Sequence, residues 1–267
     1  MLALAEASAS AAQATELTPS RPSGRLTERL APMRGEISAS SPPCKRLACT
    51  YVAATVGVLA RTRRLHQMEP VELSPGLWRW TVAHPDWKPD AAADSSADWP
   101  REVGCVLVET GDAAVFVDAI APAAKAAFWS WADRRCAARR VLALTTIGFH
   151  RRSRDELVER YGAATSRAKR NLPESVCAMP IRGAGETIFW LPEHRALVPG
   201  DRIIGAEDGG LRTCPDSWLA YLPSRITSAE LRELLRPLLE LPIERVLVSH
   251  GEPVLADGHL TLAEALG

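Results

Sequence analysis

The sequence has no excess charge of either sign: 32 Lys and Arg stand against 32 Asp and Glu. A chain that grips nucleic acid across its whole surface carries a basic surplus, so that class is set aside. No apolar run approaches the ~20 residues that a membrane span needs. The longest runs from Leu47 to Ala60, after Lys45-Arg46. It imitates a secretion signal, but Arg61-Thr62-Arg63-Arg64 follows it where a cleavage site needs small residues. The six cysteines, at 44, 49, 105, 136, 177 and 214, include no C-x-x-C pair. Most stand among apolar neighbours, as in Gly104-Cys105-Val106-Leu107. That is the setting of buried, reduced thiols, and it leads us to expect a cytoplasmic protein.

Residues 1–67 have almost no aromatic residues and are rich in Ala, Ser, Pro and Arg. Thr18-Pro19-Ser20-Arg21-Pro22-Ser23-Gly24 reads as linker, and the whole extension is expected to be disordered. It is either a native tail or translation upstream of a natural start at Met68. Residues 68–267 carry the folding information. Hydrophobic residues make up 46% of the chain, enough for one sizeable core.

Within 68–267 the pattern alternates between short strands and helices. Leu77 to Ala83 reads as a strand. Val103 to Glu109 and Ala114 to Asp118 read as a hairpin around Thr110-Gly111-Asp112. A polar loop covers 86–100. A helix is expected from Ala123 to Ala138, then a buried strand from Val141 to Thr145. Ser153 and Glu156 predict a capping box opening a helix that ends near Tyr161-Gly162. A second hairpin, Thr187 to Leu191 and Ala196 to Val198, surrounds Pro192-Glu193-His194. A helix from Ser228 to Leu239, a strand from Arg245 to Val248 and a short C-terminal helix follow. Two batches of strands, each followed by helices, predict two sheets packed together with helices outside.

Chemistry-bearing residues gather at three strand ends, where layered folds place their sites. The first is Leu144-Thr145-Thr146-Ile147-Gly148-Phe149-His150-Arg151-Arg152-Ser153. The second is Leu197-Val198-Pro199-Gly200-Asp201. The third is Val248-Ser249-His250-Gly251-Glu252-Pro253. Their order resembles the metallo-β-lactamase fold superfamily, from Leu73 to about the chain's end. The resemblance implies an α/β (α+β) domain, an αββα four-layer sandwich hosting zinc or iron hydrolases. Val117-Asp118-Ala119 matches the family's early Asp-Thr-Gly but lacks the Gly. Gly200-Asp201 and His250-Gly251 match later landmarks.

The family's main metal motif, H-x-H-x-D-H, falls on Thr146 to Arg151 and is eroded. Thr146 and Gly148 replace its first two histidines, His150 stands at the Asp position and Arg151 at the last His. Arg182 stands near the position of the next His. A two-metal clamp is therefore not expected, since Thr and Gly supply no usable ligand and Arg repels a cation. The candidate catalytic residues are His150, Asp201 and His250, which can hold at most one Zn or Fe(II) ion as a two-His-one-carboxylate set. A metal-free site is the leading expectation. Arg151 and Arg182 are the candidate anion-binding residues, replacing the lost metal as an electrostatic clamp; the bland alternative pairs them with Asp118, Asp201 or Glu252.

His84, His194 and His259 read as surface histidines. Trp78, Trp80, Trp87 and Trp99 read as packing and loop-pinning residues rather than a pocket mouth. Arg151, Arg152, Arg154 and Arg160 read as a solvated helix face before a phosphate site. The resulting expectation is a hydrolase of a small ester, thioester, lactone or phosphoester. The alternative is a non-catalytic, metal-free anion- or ligand-binding protein on the same fold; a role carried by the tail alone is the weakest reading. Expected partners are small molecules, with neither nucleic acid nor membrane, and the oligomeric state is left open. β-Lactam hydrolysis does not follow from the fold.

Overall fold

The computed structural model describes residues 69–93, 95–165 and 171–267. The readings made for residues 1–67, for Cys44 and Cys49, and for Met68 as a start lie outside the described residues. No helix among the described residues is long and apolar enough to cross a membrane.

The first batch of strands forms a six-stranded sheet in chain order: β1 (Val71–Ser74), β2 (Leu77–Ala83), β3 (Glu102–Glu109), β4 (Ala113–Val117), β5 (Arg140–Leu144) and β6 (Ala164–Thr165). β1 to β4 are antiparallel neighbours. β5 and β6 join in parallel, after crossovers through α1 (Lys125–Cys136) and α2 (Arg154–Tyr161). The second sheet pairs β7 (Cys177–Ile181), β8 (Glu186–Leu191) and β9 (Ala196–Val198) as antiparallel neighbours. β12 (Arg245–Val246) adds in parallel to β9. Between them in sequence come a small hairpin, β10 (Ile203–Gly205) and β11 (Leu211–Thr213), and two helices, α3 (Asp216–Leu219) and α4 (Ser228–Leu235). The chain closes with α5 (Gly258–Leu266).

Side-chain alternation explains the layers. On β4, Ala113, Val115 and Val117 face the second sheet, where they meet Phe189, Leu191 and Val198. Ala114 and Phe116 face the other way, onto Phe128 and Ala132 of α1 and Leu157 of α2. On the second sheet, Ile188, Trp190 and Leu197 point outward against Leu231 and Leu235 of α4 and Leu262 and Leu266 of α5. Both faces of the central strands are buried, which is why they read as unbroken apolar runs rather than as alternating ones. Three cores between four layers give the αββα sandwich expected from the sequence.

Two local expectations need correction. Ser153 does not cap α2: its hydroxyl accepts the Ala121 N–H at 3.0 Å and donates to Glu156 at 2.9 Å, tying the helix to the loop after β4. The helix expected from Ser228 to Leu239 stops at Leu235 and continues as a tighter turn, Arg236–Glu240. Pro237 lacks the N–H that a regular helix would need there. The capping box that does form in this region joins Thr227 and Glu230. The described cysteines, 105, 136, 177 and 214, are free, and all but the half-buried Cys177 are buried.

Candidate functional site

All three chemistry-bearing strand ends open on the same edge of the sandwich. β5 delivers Thr146 and His150, β9 delivers Asp201, and the chain beyond β12 delivers His250. Loops with hydrogen-bonded anchors hold each in place. Asp118 follows β4 in a left-handed conformation, with φ 48°. Its carboxylate accepts the Thr146 N–H at 2.9 Å and the Thr146 hydroxyl, and it meets His150 Nδ1 at 3.0 Å. Glu186 accepts the backbone N–H groups of Gly200, Asp201 and Arg202, at 2.9, 2.8 and 2.9 Å. Gly200 is dictated by this crowding, because a Cβ there would fall 2.3 Å from the Thr146 hydroxyl.

The His250 segment is fastened to β3. Gly104 donates its N–H to Ser249 O at 2.7 Å, and Val103 bridges to His250. Arg79, buried between the sheets, donates to Val248 O at 3.4 Å. Burial brings the Arg79 guanidinium down to about 10, partly offset by the charges of Cys105 and Glu252. Arg152 donates to Asp118 O at 2.7 Å and Gly104 O at 3.3 Å, and reaches the Ser249 hydroxyl at 3.5 Å. The His250 ring lies edge-on between Trp99 and Trp218, with centroids at 5.8 and 5.2 Å.

His150, Asp201 and His250 converge. The Nε2 atoms of His150 and His250 lie 3.2 and 3.3 Å from the same oxygen, Asp201 Oδ1. Yet that buried oxygen receives no well-directed hydrogen bond. Among the described residues this is the one trio of His, Cys, Asp or Glu whose ligand atoms lie close enough to hold a metal ion. Zinc at its usual bond lengths sets neighbouring tetrahedral ligand atoms roughly 3.3 Å apart. The two His–Asp spacings match that edge, all three ligand atoms lie within 4.8 Å of one another, and the poor mutual alignment suits atoms aimed at a shared point. The donor set therefore fits one metal ion.

Charge is concentrated at the same place. Burial works against an ionised His150, but the carboxylates of Asp118 and Asp201 override it and raise the ring to about 9. Burial likewise works against the Asp201 carboxylate; the His150 charge and the contacts with both rings hold it below the ordinary range. Burial lowers His250, with Asp201 opposing. Glu186 is pushed up to about 7 by burial and by the Asp201 charge, against its three backbone donors.

Two clefts flank the trio. One, of about 1220 Å³, contains His150, Asp201 and His250 and is walled by Trp99, Trp218, Tyr221 and Phe149. The other, of about 990 Å³, contains Arg151, Arg154, Arg182, Thr146 and Glu186. Gly148, Arg151 and Gly185 line both. Arg151 and Arg182 are exposed and have no ion-pair partner among the described residues. The suggested pairing of those two arginines with Asp118, Asp201 or Glu252 is not what the structure has. Arg154 pairs with Asp155 and Arg160 with Asp133.

With the three landmarks at one edge of a four-layer sandwich, the architecture is decided. The chain has the metallo-β-lactamase fold. No protein-family model matches it, and no curated protein does. Solved structures that it resembles include a metallo-beta-lactamase from Hirschia baltica, 15% identical with a TM-score of 0.48, covering 74% of this chain and 97% of that one. The FIM-1 metallo-beta-lactamase from Pseudomonas aeruginosa, solved in a mono-zinc form, is 13% identical with a TM-score of 0.48, covering 74% and 94%. A metallo-beta-lactamase from Pontibacter korlensis is 13% identical with a TM-score of 0.49, covering 74% and 96%.

Sequence reading missed several residues of the site. Glu186 and Trp218 carried no signal, since their roles depend on strand packing. Arg152, read as one of a solvated group, is a structural tie. His84, read as a surface residue, is half-buried, lines the aromatic cleft and meets Trp99 at 4.8 Å. His194 is half-buried and hydrogen-bonded to Ser74 at 2.9 Å, while His259 is exposed as expected. Of the four early tryptophans, Trp78 and Trp80 are core, Trp87 pins its loop by donating to Trp99 O at 3.1 Å, and Trp99 walls the cleft.

Proposed function

We propose that the protein is a hydrolase of a small ester, thioester, lactone or phosphoester, working with a single metal ion. One observation carries the reading: His150 Nε2, His250 Nε2 and the unbonded Asp201 Oδ1 stand at the spacing of metal ligands. His150, Asp201 and His250 would hold the ion, and the two-His-one-carboxylate set suits Zn or Fe(II). Such an ion supplies an acidified water and a Lewis acid for the carbonyl or phosphoryl oxygen. The chain's own residues do the rest. Asp118 accepts from His150 Nδ1 and fixes the direction of Nε2, the part a carboxylate plays behind a metal-binding histidine. The proton on His150 Nε2 must leave before that atom can act as a ligand. Trp99 and Trp218 pack against the His250 ring and help to bury it. Arg151 and Arg182 bind the substrate's negative charge.

A second reading is favoured by the same charges. With His150 held as a cation between Asp118 and Asp201, the trio is self-compensating, and the protein would be a metal-free anion-binding protein.

Metal analysis separates the two. Full-length protein purified with zinc or iron is expected to carry about one metal per chain. His250→Ala should lose the metal and the activity against nitrophenyl ester, thioester, lactone and phosphoester substrates while keeping its circular dichroism spectrum. Absence of bound metal, with no gain in stability on adding zinc, rejects the metal reading.

A further inference from the structure

Resting on the hydrolase reading, we infer that the substrate is amphipathic: an apolar or aromatic group and an anionic group, phosphate or carboxylate, on opposite sides of the bond to be cleaved. The two clefts differ in chemistry. The one containing the His-Asp-His trio is walled by four aromatic rings, Trp99, Trp218, Phe149 and Tyr221. Two of them are largely exposed, Phe149 at 70% and Tyr221 at 74%, so their rings are open to an apolar group entering the cleft. Tyr221 OH is hydrogen-bonded to Ser96 at 2.7 Å, which fixes that wall.

The other cleft is cationic. Its carboxylates are engaged: Asp155 is paired with Arg154, and Glu186 is saturated by three backbone N–H groups. That leaves Arg151 and Arg182 as cations without ion-pair partners among the described residues. They lie beside Thr146 and Gly148, the positions that carry histidines in the family motif. Guanidinium groups there offer paired donors suited to a phosphate or carboxylate.

The clefts adjoin. Gly148, Arg151 and Gly185 belong to both walls, so one molecule can lie across the junction, close to His150. Gly148 lines the junction. Nothing lies within 4 Å of where its Cβ would be, and its backbone is not left-handed, so a side chain can be added without displacing protein.

The test uses binding, which does not depend on turnover. Full-length protein, treated with chelator and separately loaded with zinc, is titrated with four probes followed by tryptophan fluorescence. These are 2-naphthylmethylphosphonate, 2-naphthylacetate, the neutral 2-naphthylmethanol and inorganic phosphate. At least one naphthyl anion is expected to bind about tenfold or more tighter than both the neutral alcohol and inorganic phosphate. Whichever anion wins identifies the head group as phosphate-like or carboxylate-like. Arg151→Ala and Arg182→Ala should each erase most of that advantage, and Arg182→Ala, outside the aromatic cleft, should leave the alcohol's affinity unchanged. Gly148→Leu should erase it too, with both the alcohol and inorganic phosphate still bound. Equal affinity for charged and neutral naphthyl probes, or an advantage untouched by all three substitutions, overturns the inference. If the advantage holds in chelated protein but no metal ever binds, the hydrolase reading fails and the amphipathic site stands.

Discussion

His150 is the residue on which the charge balance of the site turns. Its ring is raised to about 9, against an ordinary value of 6.5, because Asp118 and Asp201 override the cost of burial. A group whose folded value lies above its unfolded value adds stability that is complete below 6.5 and is lost as pH rises through 9. Glu186, raised to about 7, acts in the same direction but has finished titrating near the start of that window. The buried thiols of Cys105, Cys136 and Cys214 are raised by burial from 9.0 to about 11, 12 and 11, so they act in the same direction but begin to contribute only at the top of that window, as the unfolded thiols ionise. Chelator-treated protein should therefore lose stability between pH 6.5 and 9, on the order of a few kcal/mol. Urea midpoints across that range measure it, and His150→Gln should flatten the profile. A flat profile for the unsubstituted protein would show that His150 is neutral in the fold.

At the level of elements, the active edge depends on how closely β3 passes the His250 segment. Gly104 sits at the contact. A Cβ there would fall 2.5 Å from Val248 O and 2.7 Å from the Arg79 guanidinium. Gly104→Ala must push the segment carrying His250 away from β3. It should cost about 1–3 kcal/mol and weaken metal binding together. Gly111, in the turn between β3 and β4, has nothing within 4 Å of its own Cβ position, so Gly111→Ala is the matched control and should be close to neutral. Thermal melts with zinc titrations compare the two; equal effects would mean that the approach of the strands does not matter. This contact also marks where sequence reading stops. The strands from Leu77, Val103 and Ala114 were legible because apolar runs and turn residues are local signals. So were Gly200-Asp201 and His250-Gly251, each a short motif after a strand. Glu186 and Arg79 look unremarkable in sequence. Their importance comes from a partner 14 residues away in one case and 169 in the other, brought near by sheet packing. Arg152 looked like surface because its neighbours Arg151 and Arg154 are polar, yet its left-handed backbone, with φ 43°, turns it toward Asp118 and Ser249.

In the molecule as a whole, the candidate ligands come from both halves of the sandwich. His150 and its partner Asp118 follow β5 and β4 of the six-stranded sheet. Asp201 and His250 follow β9 and β12 of the four-stranded one. The sheets are also joined by apolar packing around Leu142, Val115, Phe189 and Leu191, and by polar contacts that include the Gly104–Ser249 and Thr146–Thr187 backbone bonds. An ion held by the trio would be a cross-link between the sheets, in addition to being a reagent. Ligand present at a hundred times its dissociation constant adds about 2.7 kcal/mol to a folded state that alone binds it. Because the ligands span the layer, that gain should resist separation of the two sheets as a unit. Hydrogen exchange with and without zinc tests this: amides of β4, β5, β8 and β9 should all slow, in both sheets, and the effect should vanish in Asp201→Asn. Slowing confined to the loops that carry His150, Asp201 and His250 would mean that the metal orders the edge without tying the sandwich together.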